Sequence, residues 1–239
     1  MTGFLIAALG LGVSLGIYLA MAAAPAESFQ SPELARIVFF HLPCALISSL
    51  FLVLGAAFAA ARLVKGGAAW DRRSHACIEI AFVFGLLALA TGIIFSKVQW
   101  GAYWSWDPRQ TSFLLVMLIV GAYFALRSAF ADEARRGAVS AAYALASLLP
   151  ILFLVFVYPR IVTTLHPDVV REGGFDNEYR VVFLVNLAAI LGVAAWLYNL
   201  RVRCASLESN LEETLARLAD RDRPAAVGVV RPVSLSSED

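Results

Sequence analysis

The segment 100–111, WGAYWSWDPRQT, holds the densest group of chemically informative side chains in the sequence. Three tryptophans and one tyrosine fall within seven residues, and a carboxylate and a guanidinium follow directly. Long apolar runs flank the segment, so its aromatic faces and its cation are expected at a membrane surface. This combination favours a large, flat, hydrophobic ligand that carries acid groups, and a porphyrin fits better than a sugar, a nucleotide or a simple ion.

The side chains of this segment have different expected roles. Trp100 and Trp104 would share a face if the segment were helical and, with Tyr103 and Trp106, would form a stacking platform for the ligand. The alternative is an interfacial aromatic belt, which explains scattered tryptophans better than four rings in one short loop.

Asp107 followed by Pro108 is typical of a helix start. Aspartate at the N-cap accepts hydrogen bonds from free backbone N–H groups, and proline suits the first helical position. Arg109 lies in the first turn. Its side chain either extends towards water or forms a bidentate salt bridge with a ligand carboxylate. Further candidate carboxylate partners, which the sequence does not rank, are Arg36, Lys97, Arg160 and Arg180.

Two of the three histidines fall on the predicted side of the tryptophan segment. His41 lies about one turn inside the second apolar run, and His166 lies in a long loop. Two neutral imidazoles facing each other across a planar ligand would supply both axial bonds to a haem iron. Each histidine could instead be an ordinary hydrogen-bonded residue. The third histidine, His75, is expected to be solvated on the opposite side.

Composition predicts an all-α integral membrane protein. Apolar residues make up 60% of the chain and charged residues only 15%, which excludes a soluble globular domain. A net charge of +1 argues against a nucleic-acid partner. The three cysteines lack metal or disulfide spacing. About six segments are apolar enough to span a bilayer: 4–24, 37–61, 77–96, 111–126, 138–158 and 181–200.

The distribution of basic residues predicts the orientation. With the N-terminus in the cytoplasm, thirteen Lys and Arg residues lie inside and six outside. The C-terminus is then also inside, and the tryptophan segment is outside. The first apolar segment could instead be a cleaved signal peptide, but it lacks a basic leader, so a retained anchor is favoured.

We expect two regions in the chain. Residues 1–200 are predicted to form the transmembrane bundle, and residues 201–239 a cytoplasmic tail. The tail begins with leucines at helical spacing, which predict a short amphipathic helix, and it ends in a disordered segment.

Segment 100–111 resembles the tryptophan-rich (WWD) signature of the haem-handling membrane proteins of cytochrome c maturation. RIVFFHLP at 36–43 resembles the histidine segment that opens the second helix of CcmC-type proteins, and TLH at 164–166 resembles their second histidine segment. CcsA-type and CcmF-type relatives carry further histidines inside the membrane, so the CcmC type is favoured. Asp107-Pro108-Arg109 is closer to CcsA-type loops, which leaves CcsA-like haem delivery as an alternative.

The resemblance implies a protein of the bacterial inner membrane that holds haem b at its periplasmic face. It would present haem to a CcmE-type periplasmic chaperone, together with CcmA- and CcmB-type ABC-transporter subunits and a small CcmD-type membrane subunit. The iron would lie between His41 and His166, and the remaining binding residues would be Trp100, Tyr103, Trp104, Trp106, Asp107 and Arg109. Such a protein holds its ligand, and no candidate nucleophile in the sequence has an activating partner. A membrane cytochrome and a transporter of an apolar substrate remain the alternatives from other classes.

Overall fold

A computed structural model describes residues 2–27, 29–166 and 176–221, which contain only helices and connecting loops. The helices are α1 (Thr2–Ala22), a 3₁₀ turn (Leu34–Ile37), α2 (Val38–Lys65), α3 (Ala68–Trp100), α4 (Pro108–Ser128), α5 (Glu133–Leu152), a π-helix (Phe153–Val157), α6 (Tyr158–Ile161) and α7 (Asn177–Arg221). The all-α prediction is therefore confirmed.

Six helical stretches of the described residues are long and apolar enough to cross a membrane. Each contains or closely matches one predicted segment, so the predicted number of spans is confirmed. The third stretch begins at Ala68, well before the predicted residue 77. Its polar first turns stay helical because Asp71 favours the positive end of the helix dipole. Orientation across the membrane stays a prediction.

The fifth spanning stretch, Glu133–Ile161, is helical but not regular. Pro150 lies inside α5, where it removes one backbone hydrogen bond. The following turn, Phe153–Val157, is a π-helix, and α6 continues to Ile161. Wide turns of this kind are often found at functional sites.

The main core lies between α2, α3, α4 and α5. Its fully buried side chains include Ile47, Cys77 and Val116. A second apolar cluster joins the end of α1, the start of α2 and the start of α7, where the Phe39 and Tyr179 rings pack with centroids 4.9 Å apart. The Tyr179 hydroxyl donates to the Ala24 carbonyl at 2.5 Å. These contacts hold the loop after α1 against the start of α7.

Buried and partly buried polar groups join the helices at the end remote from the tryptophan segment. Arg127 donates two hydrogen bonds to Asp71, at 3.0 and 2.7 Å. Glu79 accepts two hydrogen bonds from Arg201, and His75 Nε2 lies 3.3 Å from the same carboxylate. The His75 side chain is only 18% exposed and contacts Tyr123, so the prediction of a solvated His75 is wrong. Helix packing brings Arg127 to Asp71 and Arg201 to Glu79 from distant parts of the sequence.

The chain divides into two compact units, Met1–Val202 and Arg203–Asp239. In the second unit, α7 continues as far as Arg221, which lies well beyond the predicted end of the last span at residue 200. Leu207, Leu211, Leu215 and Leu218 are exposed there, and Arg217 pairs with Glu213 at 2.5 Å. The predicted disordered end from Pro224 lies outside the described residues.

Candidate functional site

The tryptophan segment forms an irregular loop between two helices. α3 ends at Trp100, because Gly101 adopts a left-handed conformation with φ of +78°. Residues 101–107 are not helical, so the conditional expectation that Trp100 and Trp104 share a helix face is wrong. Trp106 also has a positive φ, +57°, which is uncommon for a large side chain. Such backbone strain persists only where surrounding contacts fix the loop.

Polar contacts fix this loop to the ends of both helices. The Ser96 hydroxyl donates to the Ala102 carbonyl at 2.8 Å. The buried Gln110 side chain accepts from Ser105 and donates to the Tyr103 carbonyl. Neither Ser96 nor Gln110 was singled out from the sequence, since both read as ordinary helix residues.

Asp107 begins α4, as predicted. Its Oδ1 accepts from the Arg109 backbone N–H at 2.9 Å, and Pro108 is the first helical residue. The N-cap prediction is therefore confirmed.

The same carboxylate also binds the loop that carries the second candidate histidine. It accepts from the Thr164 hydroxyl at 2.8 Å, from the Leu165 N–H at 2.6 Å and from His166 Nδ1 at 2.9 Å. The Asp107 side chain is only 1% exposed. One aspartate thus joins the first turn of α4 to a loop nearly sixty residues later in the sequence.

The protonation states of this pair follow from burial and hydrogen bonding. Burial alone would raise the pKa of Asp107, but the bonds from Leu165 and Thr164 outweigh it, so the pKa lies below its ordinary value. Burial lowers the pKa of His166; the Asp107 charge opposes this and Arg109 adds to it. At neutral pH the carboxylate is therefore ionised and the imidazole is neutral. A neutral imidazole is the form that coordinates metals.

His41 lies one turn into α2 and faces α3. Its Nδ1 lies 3.0 Å from Thr91 Oγ1. The Thr91 hydroxyl proton is already donated to the Leu87 carbonyl at 2.7 Å. Thr91 Oγ1 therefore accepts the hydrogen bond, and Nδ1 of His41 carries the ring proton.

The two histidines line one cavity of about 280 Å³. The cavity lies between α2, α3, α4 and the π-helix with its continuation in α6, and most of its wall is apolar. Its charged side chains are the guanidinium groups of Arg109 and Arg160. The structure thus brings together His41, His166 and Arg109 from the predicted set. Of the four further candidate carboxylate partners, it places Arg160 at the cavity.

The aromatic side chains of the predicted set do not line the cavity. Trp100 packs edge-on against the His166 ring, with centroids 4.9 Å apart. Trp104 and Trp106 contact each other at 5.8 Å in the same manner. Trp106 is 73% exposed and Tyr103 is 61% exposed. Trp100 thus supports the His166 ring, and Tyr103 and Trp106 give the same loop an exposed aromatic surface.

Comparison with known proteins places the chain in a family. A family model described as "Heme exporter protein C" (CcmC) matches residues 1–217. The chain belongs to the CcmC family. The resemblance drawn from segments 36–43, 100–111 and 164–166 is therefore confirmed.

Individual CcmC proteins are similar over parts of their length. "Heme exporter protein C" of Bradyrhizobium diazoefficiens is 29% identical over 185 residues, which cover 76% of this chain and 70% of the relative. The protein of the same name from Paracoccus denitrificans is 31% identical over 100 residues, 42% of each chain. That of Escherichia coli strain K12 is 33% identical over 119 residues, 48% of this chain and 46% of the relative. The chain thus matches less than half the length of the last two.

Proposed function

We propose that this CcmC-family protein binds haem b in the cavity between α2, α3, α4 and the π-helix, and presents it to a periplasmic haem chaperone during cytochrome c maturation. The observation that carries this proposal is that His41 and His166 line one cavity, each with Nδ1 engaged by a protein oxygen. Nε2 of each ring then carries the lone pair that a metal requires.

The other cavity residues suit the rest of the ligand. Haem presents a broad apolar ring, and the wall contributes Leu42, Leu46 and Phe113 among its apolar side chains. Arg109 and Arg160 offer guanidinium groups for the two propionates, since arginine binds carboxylates through two parallel hydrogen bonds. Apolar surface with a few placed cations is the usual composition of a cofactor pocket.

The aromatic surface formed by Tyr103 and Trp106 suits the transfer step. Both rings are exposed on the loop that leads to Asp107, the residue that binds His166, and aromatic side chains are enriched where proteins meet. We assign this surface to contact with a CcmE-type chaperone at the periplasmic face of a bacterial inner membrane. CcmA-, CcmB- and CcmD-type subunits are the proposed partners within the membrane complex.

Absorption spectroscopy of the purified full-length chain tests haem binding. The wild-type protein should show the Soret and visible bands of a six-coordinate, low-spin haem. His41→Ala and His166→Ala should each lose that low-spin spectrum, because each removes one axial nitrogen. Size-exclusion elution and circular dichroism would establish that both variants remain folded.

Other spectra would contradict the proposal. A low-spin spectrum that survives both substitutions would place the iron elsewhere, as in a membrane cytochrome with different ligands. A protein that takes up no haem would indicate a different apolar ligand, in accord with a transporter.

Co-purification of a tagged chain in mild detergent, with mass spectrometry, should recover ABC-transporter subunits, and their absence would contradict the proposed complex.

A further inference from the structure

The two candidate axial histidines have chemically unequal partners. His166 Nδ1 donates to the ionised carboxylate of Asp107 at 2.9 Å, whereas His41 Nδ1 donates to the neutral hydroxyl of Thr91 at 3.0 Å. Hydrogen bonds to a charged acceptor are roughly twice as strong as those between neutral groups. The two rings therefore face the cavity with different basicity at Nε2.

The carboxylate is held in a fixed place by its other contacts. Asp107 accepts from Thr164 Oγ1, Leu165 N and Arg109 N as well as from His166. These donors leave Asp107 little freedom to move away from the imidazole. The Trp100 ring also packs against the His166 ring and limits its rotation.

From this geometry we propose that Asp107 is a positioning residue that makes His166 the stronger of the two axial donors to haem iron. The proposal rests on the proposed function. A carboxylate that accepts from Nδ1–H fixes the tautomer and draws the proton away from the ring, which increases electron density at Nε2. A more basic ligand stabilises ferric over ferrous iron, so Asp107 lowers the reduction potential of the bound haem.

A matched pair of substitutions tests this in the full-length chain loaded with haem b. Asp107→Asn removes the charge but keeps an N-cap residue for α4, since asparagine caps helices as well as aspartate does. Thr91→Val removes the partner of His41 and keeps the side-chain shape. We expect Asp107→Asn to weaken the preference for ferric haem about tenfold, which corresponds to an increase of about 59 mV in the midpoint potential. Thr91→Val should change this preference less than about threefold.

Thr164→Val controls for loop attachment. It removes a donor from Asp107 and the acceptor of the His166 backbone N–H, but leaves the bond between the carboxylate and the His166 ring, so the midpoint potential should stay close to that of the wild type. Equal potentials in Asp107→Asn and the wild type, with the haem still six-coordinate, would overturn the proposal. A change in Thr164→Val as large as that in Asp107→Asn would also overturn it, because loop attachment would then be the cause.

A second measurement keeps Asp107 intact and so does not depend on how Asp107→Asn folds. His41→Gly leaves only His166 as a ligand, and His166→Gly leaves only His41. Resonance Raman spectra of the five-coordinate ferrous forms should show a higher iron–histidine stretching frequency for His41→Gly. Equal frequencies, or the reverse order, would overturn the proposal. If neither histidine substitution alters the haem spectrum, the proposed function itself is wrong, and this outcome is distinct from a failure of the Asp107 proposal.

Discussion

Gly92 lies directly against the His41 imidazole: a Cβ at residue 92 would be 3.0 Å from Cε1 and 3.6 Å from Nδ1 of the histidine. Glycine at this position allows α3 to approach α2 closely enough for the ring to reach Thr91. The conformation of His41 is thus set by the absence of one side chain on the neighbouring helix.

Gly92→Ala should therefore weaken haem binding without direct removal of a ligand. The added methyl group displaces the imidazole by a few tenths of an ångström, and we expect a loss of about tenfold in affinity for ferric haem, with partial conversion to high spin. Haem titration and absorption spectra measure both effects. Gly121→Ala, where no atom lies within 4 Å of the new Cβ, is the control and should bind haem as the wild type does. Wild-type affinity in Gly92→Ala would contradict this role.

Substitutions of the two arginines that line the cavity should reveal whether they bind carboxylates. We expect Arg109→Gln and Arg160→Gln each to reduce haem affinity by roughly 10-fold to 100-fold, the cost of one hydrogen bond to a charged group. Haem dimethyl ester has no acid groups, so both variants should bind it with the affinity of the wild type. Isothermal titration with haem and with the ester distinguishes carboxylate binding from packing.

Lys97→Gln is the matched control for the arginine variants. The Lys97 ammonium group donates to the Gly101 carbonyl at 2.8 Å and lies over the Tyr103 ring, away from the cavity. Lys97→Gln should therefore leave the affinity for haem and for its dimethyl ester unchanged. An equal loss of affinity for the ester in the arginine variants would indicate a packing role instead.

The buried pair of Asp71 and Arg127 should stabilise the bundle at the end remote from the cavity. Asp71→Asn or Arg127→Gln alone leaves one buried charge without its partner, and we expect each to cost about 3–5 kcal/mol in the free energy of unfolding. The double variant should cost less than the sum of the two. Reversible denaturation in mixed micelles, followed by circular dichroism, measures all four proteins. Additive losses would show that the pair is not coupled.

The contact between α1 and α7 depends on a second glycine. A Cβ at Gly16 would lie 2.7 Å from Asn186 Oδ1, and the Asn186 amide donates to the Gly16 carbonyl at 3.1 Å. Gly16→Leu should therefore separate α1 from α7. Gly10→Leu, with no atom within 4 Å of the new Cβ, should not.

An engineered disulfide reports on that contact. The Cβ of a residue at position 12 would lie 3.7 Å from Ala189 Cβ, within the range for a disulfide. Gly12→Cys with Ala189→Cys, in a chain with Cys204→Ser, should cross-link rapidly on mild oxidation. Adding Gly16→Leu should slow the reaction, and adding Gly10→Leu should not. Equal cross-linking rates in the Gly16→Leu and Gly10→Leu proteins would contradict the proposed packing of α1 against α7.

The spanning helices could be predicted because their signals are local. Apolar runs identified all six stretches, and Asp107 with Pro108 identified the start of α4 from adjacent residues. The polar start of α3 was missed, because hydropathy marks only the part of a helix suited to hydrocarbon. The helix in the tail was predicted from its leucine spacing, but not that it continues the last span as one helix, α7.

The candidate site could be predicted only as a set of residue types. His41, His166 and Arg109 were chosen for their chemistry, but the partners that orient them depend on packing between distant segments. Thr91 and Asp107 contact histidines 50 and 59 residues away in the sequence. Asp107 was predicted as a helix cap and, from the resemblance, as a haem-binding residue, but its bond to His166 was not predicted, since a local pattern gives no sign that one carboxylate serves two segments.

The π-helix at Phe153–Val157 has a consequence for chain length. A wide turn holds one residue more than an α-helical turn, so removal of Leu154 would restore ordinary pitch. The residues beyond the turn would keep their phase around the helix axis, because the wide turn takes up one residue. If the same sequence were α-helical throughout, every residue beyond the turn would instead lie about 100° further around the axis. Arg160 would then point out of the cavity, so the wide turn sets the direction in which its guanidinium group points.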